Sequence, residues 1–122
     1  MRFTQDLSSN VNVIRGYGRG ELRINDQVFH QSLIVSPSDI RPEPSLTDIA
    51  GLNNEHLEHL LEFKPELVLL GTGHRQVFPH AAVGTQFLAA GIGVEVMDTG
   101  AACRTFNVLV GEQRRVVALL LL

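Results

Sequence analysis

With one cysteine, Cys103, this 122-residue chain has no intrachain disulfide to form and has to be held together by packing alone. Positive charge is also scarce. Ten Lys and Arg face 13 Asp and Glu, for a net charge of -3, and no basic cluster stands in the sequence. A nucleic-acid binder needs a dense basic face to neutralise phosphates, so nucleic acid is not the expected partner. Nor is there an apolar stretch of the roughly 20 residues that a membrane-spanning helix requires. The tail from Val116 to Leu122 is apolar throughout but far too short, and reads as a buried strand. Met1 to Asp6 lacks both the apolar centre of a secretion signal and the arginine-rich, acid-poor pattern of a transit peptide. Together with the lone thiol, this makes the cytoplasm the expected compartment. Low-complexity tracts are missing as well. A 44% apolar, 19% charged composition predicts a soluble globular protein, with residues 1–122 forming a single α/β domain around one core.

What the chain does have is a pair of similar units. Leu67-Val68-Leu69-Leu70 runs into Gly71-Thr72-Gly73, and Val94-Glu95-Val96-Met97 runs into Asp98-Thr99-Gly100. Apolar runs that end in small polar turns read as buried parallel strands, and their carboxyl ends form the edge where open α/β sheets usually place a ligand. Between them, a helix from about Pro79 to Ala90 completes a βαβ unit. Pro79 suits its first position, Gly91 its C-terminal cap, and Val83, Phe87 and Leu88 its apolar contacts. An earlier helix spans about Asn54 to Lys64, with Asn53 as N-cap, Leu52 and Leu57 as a hydrophobic staple, and Pro65 as the stop. Its expected buried stripe is Leu57, Leu60 and Leu61. A last helix, about Gly100 to Val110, is capped by Asp98 or Thr99, ended by Gly111, and carries Ala102, Cys103, Phe106, Leu109 and Val110 on one side. The final strand is expected near Arg114.

The first third is β-like. Asn12 to Tyr17, Glu21 to Ile24 and Val28 to Val35 are short runs broken by Gly16, Gly18 and Gly20, and Asn25-Asp26 supplies a hairpin turn that puts Leu22 and Ile24 on one face. From Ser36 to Pro44, three of the five prolines predict a loop crossing the surface.

Candidate chemistry concentrates at the strand ends. Gly71, Thr72, Gly73, Arg75, Asp98 and Thr99 outline a crevice in which backbone N–H groups and a guanidinium can meet an anion. The same residues also serve as a tight turn, a solvated loop charge and a helix cap. Neither a third glycine, which would stand at Gln76, nor a Gly-Lys-Ser/Thr ending is present, so no nucleotide fingerprint is formed. Cys103 sits beside Arg104 in the first turn of the last helix, where a thiolate is favoured, yet it shares a stripe with Phe106 and Val110 as a buried hydrophobe does. His56 and His59 are expected on the polar face of their helix, His74 and His80 flank a loop, and His30 alternates along a strand. No HExxH motif or cysteine pair joins them into a metal set, and Arg41 and Arg75 fall in expected loops. No catalytic residue, cofactor or metal is therefore assigned.

In order along the chain, Gly16-Tyr17-Gly18, Leu70-Gly71-Thr72-Gly73, Glu95-Val96-Met97-Asp98-Thr99, Ala102-Cys103 and Thr105-Phe106-Asn107 resemble a family of small, widespread α/β proteins of largely unknown activity. This family is related to the mitochondrial NADH dehydrogenase (complex I) assembly factor 3. The resemblance covers about Val13 to Leu119. It implies a three-layer fold around a mixed five-stranded central sheet, with flanking helices and additional N-terminal β structure, and it brings no cofactor and no catalytic residue. Two functions remain open: an uncharacterised non-enzymatic interaction or assembly factor for a respiratory or membrane-associated complex, with a protein partner, and a small-ligand or anion-binding protein or enzyme working at the Gly-Thr-Gly turn. The C-terminal leucines either cover the core or join a subunit interface, so a homo-oligomer remains open too.

Overall fold

A computed structural model describes residues 11–122. Met1 to Asp6, on which the cytoplasmic expectation rests, lies outside them. The described residues form two sheets and three α-helices. Strands β1 (Ile14–Gly18), β2 (Glu21–Ile24) and β3 (Gln27–Phe29) make an antiparallel sheet in sequence order. The larger sheet has the order β5-β4-β8-β6-β7, from β4 (Leu33–Val35), β5 (Ile40–Pro42), β6 (Leu67–Gly71), β7 (Gly93–Met97) and β8 (Val116–Leu120). Strand β6 pairs in parallel with both β7 and β8, whereas β4 is antiparallel to β8 and β5, so the sheet is mixed.

Strand parity divides the core in two. Along β8 and the residue after it, Val116, Ala118 and Leu120 enter one cluster and Val117, Leu119 and Leu121 the other; Leu69 and Val68 split β6 the same way. On the first side lie α3 (Thr99–Gly111), through Ala102, Cys103 and Phe106, and the small sheet, through Ile14, Leu22 and Ile24. The second side holds α1 (Asn54–Glu62), through Leu57 and Leu60, and α2 (Ala81–Ala89), through Val83 and Phe87. This is the expected three-layer arrangement with added N-terminal β structure. Burial on both faces explains why β6 and β8 read as continuous apolar runs.

Several boundaries differ from the sequence reading. The run from Val28 to Val35 is two strands in different sheets, and His30 lies in the crossing between them, outside any strand. The proline-rich segment is not all loop, because β5 forms within it and carries Arg41. Proline is tolerated there because β5 is a sheet edge, where a missing N–H leaves no neighbour unbonded.

Helix α1 ends at Glu62 rather than Lys64, whose left-handed φ of 53° turns the chain ahead of Pro65. Its buried stripe takes His56 in place of Leu61, which is exposed. The His56 ring folds back so that its Nδ1 accepts from the Asn53 N–H, while the Asn53 side chain accepts from the His56 N–H. This reciprocal cap satisfies two helix-end donors and takes His56 off the polar face.

In α2, the cap is His80, so Pro79 stands just ahead of the helix rather than in its first position. Gly91 follows with φ of +77°, and Leu88 faces solvent because α2 lies over the edge strand β7, where one flank of a helix has nothing to cover it. Gly111 closes α3, but the left-handed residue beyond it is Gln113, and β8 begins at Val116 rather than near Arg114.

Candidate functional site

The two strand-end turns do meet, and they meet each other. The Thr72 N–H donates to the Met97 carbonyl (2.9 Å), the Thr99 N–H to the Gly73 carbonyl (2.9 Å), and the Gly73 N–H to the Thr99 hydroxyl (2.8 Å). That buried hydroxyl donates in turn to the Leu121 carbonyl (2.6 Å), and the Leu121 N–H donates to the Gly71 carbonyl (3.0 Å). The Thr72 hydroxyl accepts from the Val77 N–H and donates to the Arg75 carbonyl, tying the following loop to the same knot. Each of these donors is therefore engaged within the protein. Arg75 itself projects into solvent.

Two glycines at this edge have a steric role. A Cβ on Gly71 would stand 3.1 Å from the Ala102 Cβ, the Leu120 Cδ2 and the Thr99 Cα, closer than nine in ten real contacts, and Gly73 adopts φ of +98°. The turn permits close strand-to-helix packing.

Asp98 caps α3, its Oδ1 accepting from the Ala101 N–H at 2.9 Å. A carboxylate thus already occupies the positive end of that helix, where an incoming anion would otherwise sit. Cys103 is buried one turn further on. Burial pushes its thiol pKa up from 9.0 to about 12, against the pull of Arg104 and with a further push from Asp98. Burial likewise raises Tyr17, the nearby Thr99 hydroxyl acting in the opposite direction. A thiol held so far above neutral pH is a packing group rather than a nucleophile.

The histidines scatter. His56 and His80 cap helices, His74 is exposed in the loop after Gly73, and His59 turns its Nδ1 to the buried carboxylate of Glu43 at 2.5 Å. Among the described residues, no three His, Cys, Asp or Glu side chains gather where a metal could be held.

Three features escaped the sequence reading. Glu43, in the proline-rich segment, is buried against His59 of α1, with the Arg41 Nε at 3.8 Å and the Arg41 Nη1 reaching Glu62 at 2.9 Å. A cleft of about 730 Å3 lies beside it, between β5, the end of α1 and the chain entering β8. Finally, the small sheet gathers Arg15, Arg19 and Arg23 around one hollow. Their four-residue spacing was visible in the sequence, but only the hairpin register brings them together.

A family described as "Protein of unknown function (DUF498/DUF598)" matches residues 14–121. The chain belongs to the DUF498/DUF598 family. This DUF498/DUF598 protein is 34% identical over 118 residues to the zebrafish (Danio rerio) NADH dehydrogenase [ubiquinone] 1 alpha subcomplex assembly factor 3, covering 96% of the chain and 68% of that relative. It is 31% identical over 106 residues to the "13 kDa major membrane protein" of Francisella tularensis subsp. holarctica, 86% of each being covered. Among solved structures, a Bordetella parapertussis protein superposes with a TM-score of 0.84 at 35% identity, over 91% of this chain and 95% of the other. No helix among the described residues is long and apolar enough to cross a membrane.

Proposed function

We propose that this DUF498/DUF598 protein is a non-enzymatic interaction factor that holds a protein partner while a respiratory or other membrane-associated complex is assembled. The observation that supports this most is the likeness to assembly factor 3, which extends over nearly the whole chain. The residue chemistry agrees with it. Asp98 caps a helix, Thr99 ties two turns together, Cys103 packs and His59 pairs with Glu43, so the groups that a catalyst would use have structural work instead. The reading takes residues 1–122 as one domain acting from the cytoplasm.

Deleting the gene and resolving membrane complexes on native gels tests the proposal. Loss or slowing of one assembled complex, together with crosslinking of the tagged protein to subunits of that same complex, is the expected result. Normal assembly kinetics of every resolved complex in the deletion strain would overturn it.

A further inference from the structure

Of the glycine pairs Gly16-Gly18 and Gly71-Gly73, local structure accounts for only the second. Gly71 is required by the atoms crowding it and Gly73 by its positive φ. Gly16 and Gly18, in β1, have neither excuse. Neither takes a left-handed φ, and a Cβ added to either would meet nothing within 4 Å. The bulge ahead of Gly16 does not call for a left-handed residue there. Glycine weakens a strand interior, and one use that offsets this is to let a ligand or another backbone come close.

The surroundings say which kind of ligand. Gly16 pairs with Arg23 and Gly18 with Glu21, so all four share the outer face of the hairpin. This face carries a hollow of about 460 Å3, floored by the two glycines and rimmed by Arg15, Arg19 and Arg23, with Glu21 as its acid. Arg104 of α3 stands in an adjoining groove that shares Arg15 and Gly16. Among the described residues, none of these four arginines forms an ion pair or donates a side-chain hydrogen bond.

Arg19 is placed there against local preference. It takes φ of 53° beside Gly20 at 74°, the two-residue turn that favours Asn-Gly, whereas the next hairpin gives its left-handed position to Asn25. Three guanidiniums against one carboxylate leave a local charge of about +2, which matches the charge of a phosphate monoester near neutral pH.

We propose that this hollow binds a phosphate group, gripped by the Arg15, Arg19 and Arg23 guanidiniums over the bare backbone of Gly16 and Gly18. Planar guanidiniums bind phosphate oxygens in pairs, and a floor without side chains lets the anion approach until they do. The hollow shares no lining residue with the Gly71 turn, and the proposal is independent of the assembly reading. Its phosphate comes either from a soluble compound or from a lipid headgroup.

The test is a backbone-amide NMR titration of the full chain with inorganic phosphate and with pyrophosphate, alongside sedimentation with phosphatidylcholine vesicles with or without phosphatidic acid, whose headgroup is a phosphate monoester. Saturable shifts are expected at Gly16, Gly18 and Arg19, weakened about tenfold in Arg23→Gln. Gly18→Val should abolish them while leaving the thermal midpoint unchanged or higher, because its side chain fills open space. Sedimentation only with phosphatidic acid, lost in Gly18→Val, would identify a lipid headgroup as the source; saturable shifts without sedimentation would identify a soluble phosphate compound. Absence of both, or equal shifts in wild type and Gly18→Val, overturns the proposal.

Discussion

The Asn107 side chain completes the free edge of β1 by bonding both backbone groups of Ile14: its Oδ1 accepts from the Ile14 N–H at 2.9 Å and its Nδ2 donates to the Ile14 carbonyl at 2.8 Å. A neighbouring strand would make the same two bonds. One amide on α3 thus substitutes for a strand and fixes the small sheet beside the helix. Replacing Asn107 by Ala leaves two half-buried backbone groups without partners, and should cost about 1–3 kcal/mol in urea unfolding. Asn107→Asp, which keeps the acceptor and removes the donor, should do comparable harm. An unfolding midpoint equal to wild type in both variants would show that the contact carries no stability.

Gly71→Ala should destabilise by about 1–3 kcal/mol, since the new methyl is forced against Ala102, Leu120 and the α3 backbone. The measurement is the shift in denaturant midpoint at constant slope. A variant as stable as wild type would mean that α3 can move away from β6 at no cost.

Cys103 gives a pH dependence of known sign. Between about 9 and about 12, the unfolded chain loses the thiol proton while the folded chain keeps it, so stability should be flat below this window and fall as pH rises through it. Tyr17, also raised, adds to the fall at the upper end. Cys103→Ala should make the decline shallower, and iodoacetamide at pH near 8 should label wild type only once urea has unfolded it. Equal labelling rates with and without urea would refute the buried-thiol account.

The Glu43 cluster separates a buried pair from an exposed one. His59→Ala leaves the Glu43 carboxylate buried with only Arg41 nearby, and should cost about 2 kcal/mol or more. Glu62→Ala, which breaks the exposed contact to Arg41, should cost less than about 1 kcal/mol. Chemical denaturation of both variants checks this, and equal losses would mean that burial of Glu43 makes no difference.

Legibility in the sequence followed the range of the interaction. Asn53 and Asp98 each cap a helix by accepting from a donor three residues away, so local pattern sufficed to find them. The β6 and β8 runs announced themselves because both faces are covered. The choice between His56 and Leu61, however, depended on where a ring could fold back on its own cap, and the exposure of Leu88 depended on α2 lying at the rim of the sheet. At the Gly71 turn, the residues expected in the crevice came together apart from Arg75, yet composition could not reveal that Thr99 would bond Gly73 and Leu121 and so engage the groups a ligand would need. The arginine-rimmed hollow was illegible for a related reason: only pairing of β1 with β2 turns spacing along the chain into proximity.

The position of β8 governs the order in which this protein can become itself. The last strand in sequence is the middle strand in space, and β5-β4 joins β6-β7 only through Val116–Leu120. Until those residues leave the ribosome, the nascent chain holds two separate fragments of sheet, each with an open, apolar inner edge. Completion of the larger sheet is therefore a late event that closes both edges together, and the interval before it is when the chain is most exposed to mispairing.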